Sequence, residues 1–112
     1  MVNNYQFGEI TIAGKTYQDD VIIYPDHIDE HWWREKGHNL VINDIGGVID
    51  AEPEVIVIGT GEPGLMQVDK ETLGCLKKLG IKTIVLPTER AYKEYNRLAP
   101  TKKVIGCFHL TC

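Results

Sequence analysis

The sequence is short of cysteine: it has three, Cys75, Cys107 and Cys112, and an odd number cannot be fully paired within one chain. A disulfide scaffold is therefore excluded as the main source of stability, and reduced thiols are expected. Long apolar runs are missing too. No segment approaches the roughly 20 consecutive apolar residues of a membrane span, and Met1 to Ile12 lacks the basic start and apolar stretch of an export signal. No membrane partner and a cytoplasmic location are expected. Positive charge is also scarce: 12 Lys and Arg stand against 16 Asp and Glu, for a formal net charge of −4. The cations are scattered, with no stripe that could displace counterions from a phosphate backbone, so nucleic acid is not an expected partner. Neither repeats nor low-complexity segments interrupt the chain.

What remains is an ordinary globular balance. The 112 residues, 43% hydrophobic and 25% charged, suit a single domain spanning residues 1–112 with a core of its own. Tyr5 to Ile12 alternates apolar and polar residues with a slip near Gly8. With Ala13-Gly14-Lys15 as a turn it reads as the first arm of a hairpin. The second arm is expected over Thr16 to Tyr24, stopped by Pro25. Asp26 to Asn39 shows no period and reads as a loop. Asp44 to Ala51 reads as a short helix capped by Asn43 or Asp44, with Ile45, Val48 and Ile49 on one face.

From Pro53 onward the order is strand, helix, strand, helix, strand. Val55-Ile56-Val57-Ile58 has no polar alternation, as a central strand covered on both faces requires. Asp69 is expected to cap a helix over Lys70 to Leu79, with Leu73, Leu76 and Leu79 as its stripe, Val68 stapled onto Leu73, and Gly80 as its stop. Ile81 to Leu86 is the next strand. Thr88 is expected to cap a helix whose Ala91, Tyr92, Tyr95, Leu98 and Ala99 recur with helical spacing up to Pro100. Lys103 to Leu110 closes the pattern. The first two of these strands should pair parallel through a crossover helix. The fold class is therefore α/β: a single three-layer domain with a small mixed, partly parallel sheet, flanking helices and an N-terminal β-hairpin.

Four groups of residues carry candidate chemistry. Gly59-Thr60-Gly61-Glu62-Pro63-Gly64 has the G-x-G-x-x-G spacing after an apolar strand, but the following helix begins only after Asp69. A pyrophosphate needs the helix N-terminus within the glycine loop, so a structural turn is the favoured reading. His27-Ile28-Asp29-Glu30-His31 has the H-x-x-E-H spacing of an inverted zincin site, yet lacks a sustained helical stripe and a third ligand. A solvated loop explains it better. Cys107 and His109 fall on one strand face, with Cys112 nearby, but a fourth metal ligand would have to come from elsewhere, for example His38, whereas a buried Cys and a sheet-packed His need nothing further. Trp32-Trp33-Arg34 remains open between a binding hot spot and a structural plug with a structural ion pair.

Several blocks resemble the adipogenesis-associated domain family and its relatives among mitochondrial complex I assembly factors. These are the strand ending at Pro25, Trp33-Arg34-Glu35 followed by Gly37, Val57-Ile58-Gly59-Thr60-Gly61, Leu76 to Gly80, Thr88-Glu89, Lys93-Glu94-Tyr95-Asn96 and Phe108-His109-Leu110-Thr111-Cys112. The resemblance spans nearly the whole chain and implies a compact three-layer domain with a small mixed sheet. It implies no agreed reaction or cofactor, and links family members to adipocyte differentiation and to respiratory-complex assembly. With no complete nucleophile, metal or cofactor constellation, the expected role is non-catalytic binding of a protein partner, with a homo-oligomer allowed for. The alternative is a small-molecule binder or enzyme with a pocket at Gly59-Thr60-Gly61. The candidate binding residues are Trp33, Arg34, Gly59, Thr60, Gly61 and Thr88; no catalytic or metal-binding residue and no cofactor is expected.

Overall fold

A computed structural model describes all of residues 1–112. Strands β1 (Val2–Gln6), β2 (Glu9–Ile12) and β3 (Lys15–Tyr17) form a small antiparallel sheet in chain order. The chain then leaves that sheet at Gln18-Asp19-Asp20. It enters a five-stranded sheet as β4 (Val21–Ile23), which turns back into the two-residue β5 (Ile28–Asp29). The expected single arm over Thr16 to Tyr24 is thus two strands in two sheets. The reason lies in burial: Lys15 and Thr16 are exposed, whereas Val21, Ile22 and Ile23 are all buried and need cover on both faces. β5 also places a short strand inside the stretch read as a loop.

The short β6 (Asn39–Leu40) precedes a 3-10 turn over Ile42–Ile45 and the five-residue α1 (Gly46–Asp50). The expected helix over 44–51 is therefore split. Asp44 is not the cap residue but the third residue of the 3-10 turn, where its carboxylate accepts from the N–H of the cap residue Val41 at 2.9 Å. Next come β7 (Val55–Thr60), β8 (Gln67–Val68), which pairs parallel with β6, α2 (Lys70–Lys78), β9 (Lys82–Leu86), α3 (Thr88–Leu98) and β10 (Val104–His109).

The large sheet has the order β5-β4-β10-β7-β9, with β10, β7 and β9 parallel and β4 antiparallel to β10. Every residue of β7 and β10 is buried. One face carries α3 and the small sheet: Ala91, Tyr95 and Leu98 pack with Val2, Tyr5, Ile10, Val57 and Phe108 in a single cluster. The opposite face carries α1 and α2: Val48 and Leu76 pack with Ile56, Ile58, Ile105 and Cys107. Three layers result, as expected for an α/β domain.

Two cap expectations part company here. Asp69 does cap α2, accepting from the Glu71 N–H at 3.1 Å, and Gly80 ends the turn after it at φ +76°. The α2 stripe differs from the expected one, because Leu73 and Leu79 are exposed while Thr72 and Leu76, four apart, face inward. Thr88 does not cap α3. The cap position is Pro87, and Thr88 sits fully buried in the first turn with its hydroxyl committed elsewhere.

Candidate functional site

The carboxyl ends of β7 and β10 lie side by side, with Thr60 opposite His109. Gly61 follows at φ +91°, a left-handed conformation that favours glycine. A Cβ there would stand 1.9 Å from the Thr111 carbonyl oxygen and 2.8 Å from His109 Cδ2. The Gly61 N–H donates to Thr88 Oγ1 at 2.8 Å, and the Thr88 hydroxyl donates to the His109 carbonyl at 2.6 Å. Thr60 Oγ1 donates to the Leu86 carbonyl at 3.2 Å. Gly59 is equally confined, since a Cβ would approach Thr88 Oγ1 to 2.7 Å and Phe108 Cδ1 to 2.8 Å. Gly59, Thr60, Gly61 and Thr88 are therefore brought together, as a stitched strand end. The G-x-G-x-x-G spacing has no helix behind it: α2 starts at Lys70.

Beside this seam lies a buried ionic cluster. Asp20 Oδ2 accepts from Arg34 Nη1 and from His109 Nδ1, each at 2.8 Å, while Asp20 Oδ1 accepts from the Leu110 N–H at 2.8 Å. Arg34 also donates to the Gly37 carbonyl at 3.0 Å and stacks over the Trp32 indole with 4.7 Å from guanidinium carbon to ring centre. His109 Nδ1 also lies 3.0 Å from Arg34 Nη2. One nitrogen cannot donate to Asp20 and accept from Arg34 at once. A carboxylate only accepts, so the proton belongs between Nδ1 and Asp20. His109 Nε2 and Arg34 Nε are buried without hydrogen-bond partners.

Burial alone would raise the Asp20 pKa. The hydrogen bonds from His109, the Leu110 N–H and Arg34 outweigh it and hold the carboxyl below its ordinary value. Cys107 behaves oppositely: burial pushes its thiol far up, against a weaker lowering by the Arg34 charge, so it is an inert core residue. Cys112 is exposed and separate from it, and no group of three metal-ligating side chains is assembled. The two histidines of the H-x-x-E-H spacing flank β5, with no helix to present them. His27 stacks on Tyr24 and pairs with Asp26, whereas His31 pairs with Asp19 at 2.8 Å.

Trp32 and Trp33 diverge. Trp32 is buried, donating from its indole nitrogen to the Asp44 carbonyl at 2.9 Å, and its backbone N–H donates to the Asp20 carbonyl at 2.9 Å. Trp33 is 76% exposed. It borders a cleft of about 480 Å³ that also takes in Asp19, Asp20, His31 and Thr111. Of the six candidate residues, only Trp33 and its cleft present a side chain to solvent; Arg34, Gly59, Thr60, Gly61 and Thr88 are interior.

Sequence reasoning passed over Asp20, and weighed His109 as a metal candidate against a sheet-packed histidine without seeing its ion-pair partner. A signal was available for His109: among Val, Ile, Gly, Cys and Phe it is the one strongly polar side chain in the strand Val104–His109, where every position is buried. A buried imidazole requires a partner from elsewhere in the chain.

Solved structures share this architecture. The conserved hypothetical protein PH1505 of Pyrococcus horikoshii is 24% identical with a TM-score of 0.86, the match covering 100% of this chain and 99% of that one. The protein MT938 is 25% identical with a TM-score of 0.83, covering 100% and 98%. XCC1710 of Xanthomonas campestris is 22% identical with a TM-score of 0.83, covering 98% and 83%. Residues 2–109 match the sequence model of a family described as "Protein of unknown function (DUF498/DUF598)", and the chain belongs to that family.

Proposed function

We propose that the protein is a non-catalytic binding domain that engages a protein partner in the cytoplasm through Trp33 and the cleft beside it. The observation that carries this reading is the contrast between neighbours. Trp33 stands in solvent while Trp32 and Arg34 on either side of it are buried and bonded. An exposed indole on a fixed segment combines a large contact area with little ordering cost, the profile of an interface anchor. The resemblance to the adipogenesis-associated domain and complex I assembly factors supports an assembly-factor-like role.

A photo-crosslinking amino acid in place of Trp33, expressed in the protein's own host, tests this. A discrete adduct with another protein is expected; an adduct with a second copy of the chain would make the interface homo-oligomeric. Irradiation that leaves only the free chain, at expression levels where a control position also gives nothing, would contradict the reading.

The alternative, a small-molecule site at Gly59-Thr60-Gly61, has one observation in its favour. His109 Nε2 is a buried nitrogen without a partner, in the same ring whose Cδ2 edge faces Gly61. Against it stands the Thr111 carbonyl, which fills the space over Gly61 that a ligand would need.

A further inference from the structure

We infer that the Trp33 cleft receives an arginine side chain presented by the protein partner, an inference that rests on the binding role proposed above. The grounds lie in a pair of adjacent residues used twice. Asp20 and Trp32 together hold the chain's own Arg34, with the carboxylate 2.8 Å from the guanidinium and the indole beneath it at 4.7 Å. Asp19 and Trp33 are the next residue on each of the same two segments, which the Trp32 N–H to Asp20 carbonyl bond ties together. Both border the 480 Å³ cleft, whose floor Asp20 and Trp32 also line, and both are exposed where Asp20 is half-buried and Trp32 is buried. The outer pair thus repeats, in solvent, the residue types that the inner pair closes around a guanidinium.

Charge favours the same occupant. Asp19 gives one oxygen, Oδ2, to His31, and its other oxygen has no protein donor. An adjoining cleft of about 350 Å³ shares Asp19 and His31 and adds Glu30, whose carboxylate is met by the single ammonium of Lys15. Across both clefts the carboxylates of Asp19, Asp20 and Glu30 face that one lysine, with Arg34 sealed off behind Asp20. A planar cation can stack on indole and pair with a carboxylate at once, which an ammonium does less well and an anion not at all.

The test is a titration of the full chain, labelled with nitrogen-15, followed by NMR. Its two indole N–H signals report on different surroundings: both rings line the cleft, but that of Trp32 is buried with its N–H bonded to the Asp44 carbonyl, whereas that of Trp33 stands in solvent. The probes are the capped peptides Gly-Leu-Arg-Leu-Gly, the same peptide with neutral citrulline for arginine, and the same with glutamate. The arginine peptide should move the Trp33 signal more than that of Trp32. Asp19→Asn and Trp33→Leu, the latter followed through the backbone amide signals that the arginine peptide moves in the wild type, should each weaken binding by about tenfold, and citrulline by a similar factor. Equal response to the citrulline or glutamate peptide, no response to arginine, or binding indifferent to Asp19→Asn would each overturn the inference. If a protein still crosslinks at position 33 while the arginine peptide gives no response, the arginine assignment fails and the binding role stands. If the peptide binds as expected but nothing crosslinks, the binding role fails instead.

Discussion

Replacing Asp20 with alanine should be among the most damaging single changes in this protein. Three donors lose their acceptor: the Arg34 guanidinium, the His109 imidazole N–H and the Leu110 N–H. The side chain of Arg34 is only 5% exposed, so its charge would be left without a counter-ion away from water. Removing one partner of a buried ion pair costs about 3–5 kcal/mol. Asp20 retains 17% exposure, which admits some water and favours the lower end, about 3 kcal/mol. Urea unfolding reads this directly. With a slope of about 1–3 kcal/mol per molar, the midpoint should fall by about 1–3 M at constant slope. The pH dependence supplies an internal check. The Asp20 pKa is held below its ordinary 3.8, so its contribution is complete above that value and is lost as pH falls through the lower folded-state pKa. The Asp20→Ala variant should therefore lose less stability than wild type on acidification below about pH 4. A change under about 1 kcal/mol, or an unaltered acid limb, would refute a stabilising ion cluster.

Other outcomes follow from the strand-end seam and the thiols. Thr88→Val, which keeps the shape and removes the hydroxyl bonded to Gly61 and His109, should cost about 2 kcal/mol in the same unfolding assay, whereas Thr88→Ser should cost less. Gly61→Ala forces a Cβ against the Thr111 carbonyl at positive φ and should destabilise by more than about 1 kcal/mol. Titration of the wild type with NAD, NADP and ATP should give no micromolar binding; a micromolar complex would restore the glycine-loop reading. Under native conditions a thiol reagent should modify Cys112 promptly and Cys107 only on unfolding, as mass mapping of the modified chain would reveal.

The parts of the fold visible in the sequence are those where one local rule decides. Val55–Ile58 is apolar at every position because both faces are covered, and Ala91, Tyr95 and Leu98 keep helical spacing because α3 buries one side only. Legibility fails where tertiary partners decide. Val21–Ile23 could not be seen to desert the hairpin, since its alignment against β10 depends on residues some 85 positions away. Leu73 and Leu79 look like a stripe, yet α2 turns Thr72 and Leu76 inward instead. The Asp20–Arg34–His109 cluster joins residues separated by 14 and 89 positions, and no spacing rule links them. Trp32 and Trp33 carry the same side chain, and only the packed chain distinguishes anchor from exposed surface.

The most direct test of a binding role at Trp33 pairs two measurements on Trp33→Ala: its unfolding free energy and its retention of the protein that crosslinks at that position. The exposed indole contributes little to the fold, so stability should stay within about 0.5 kcal/mol of wild type while partner retention is lost. Retention equal to wild type, or a loss of stability large enough to account for lost retention, would contradict Trp33 as the binding anchor.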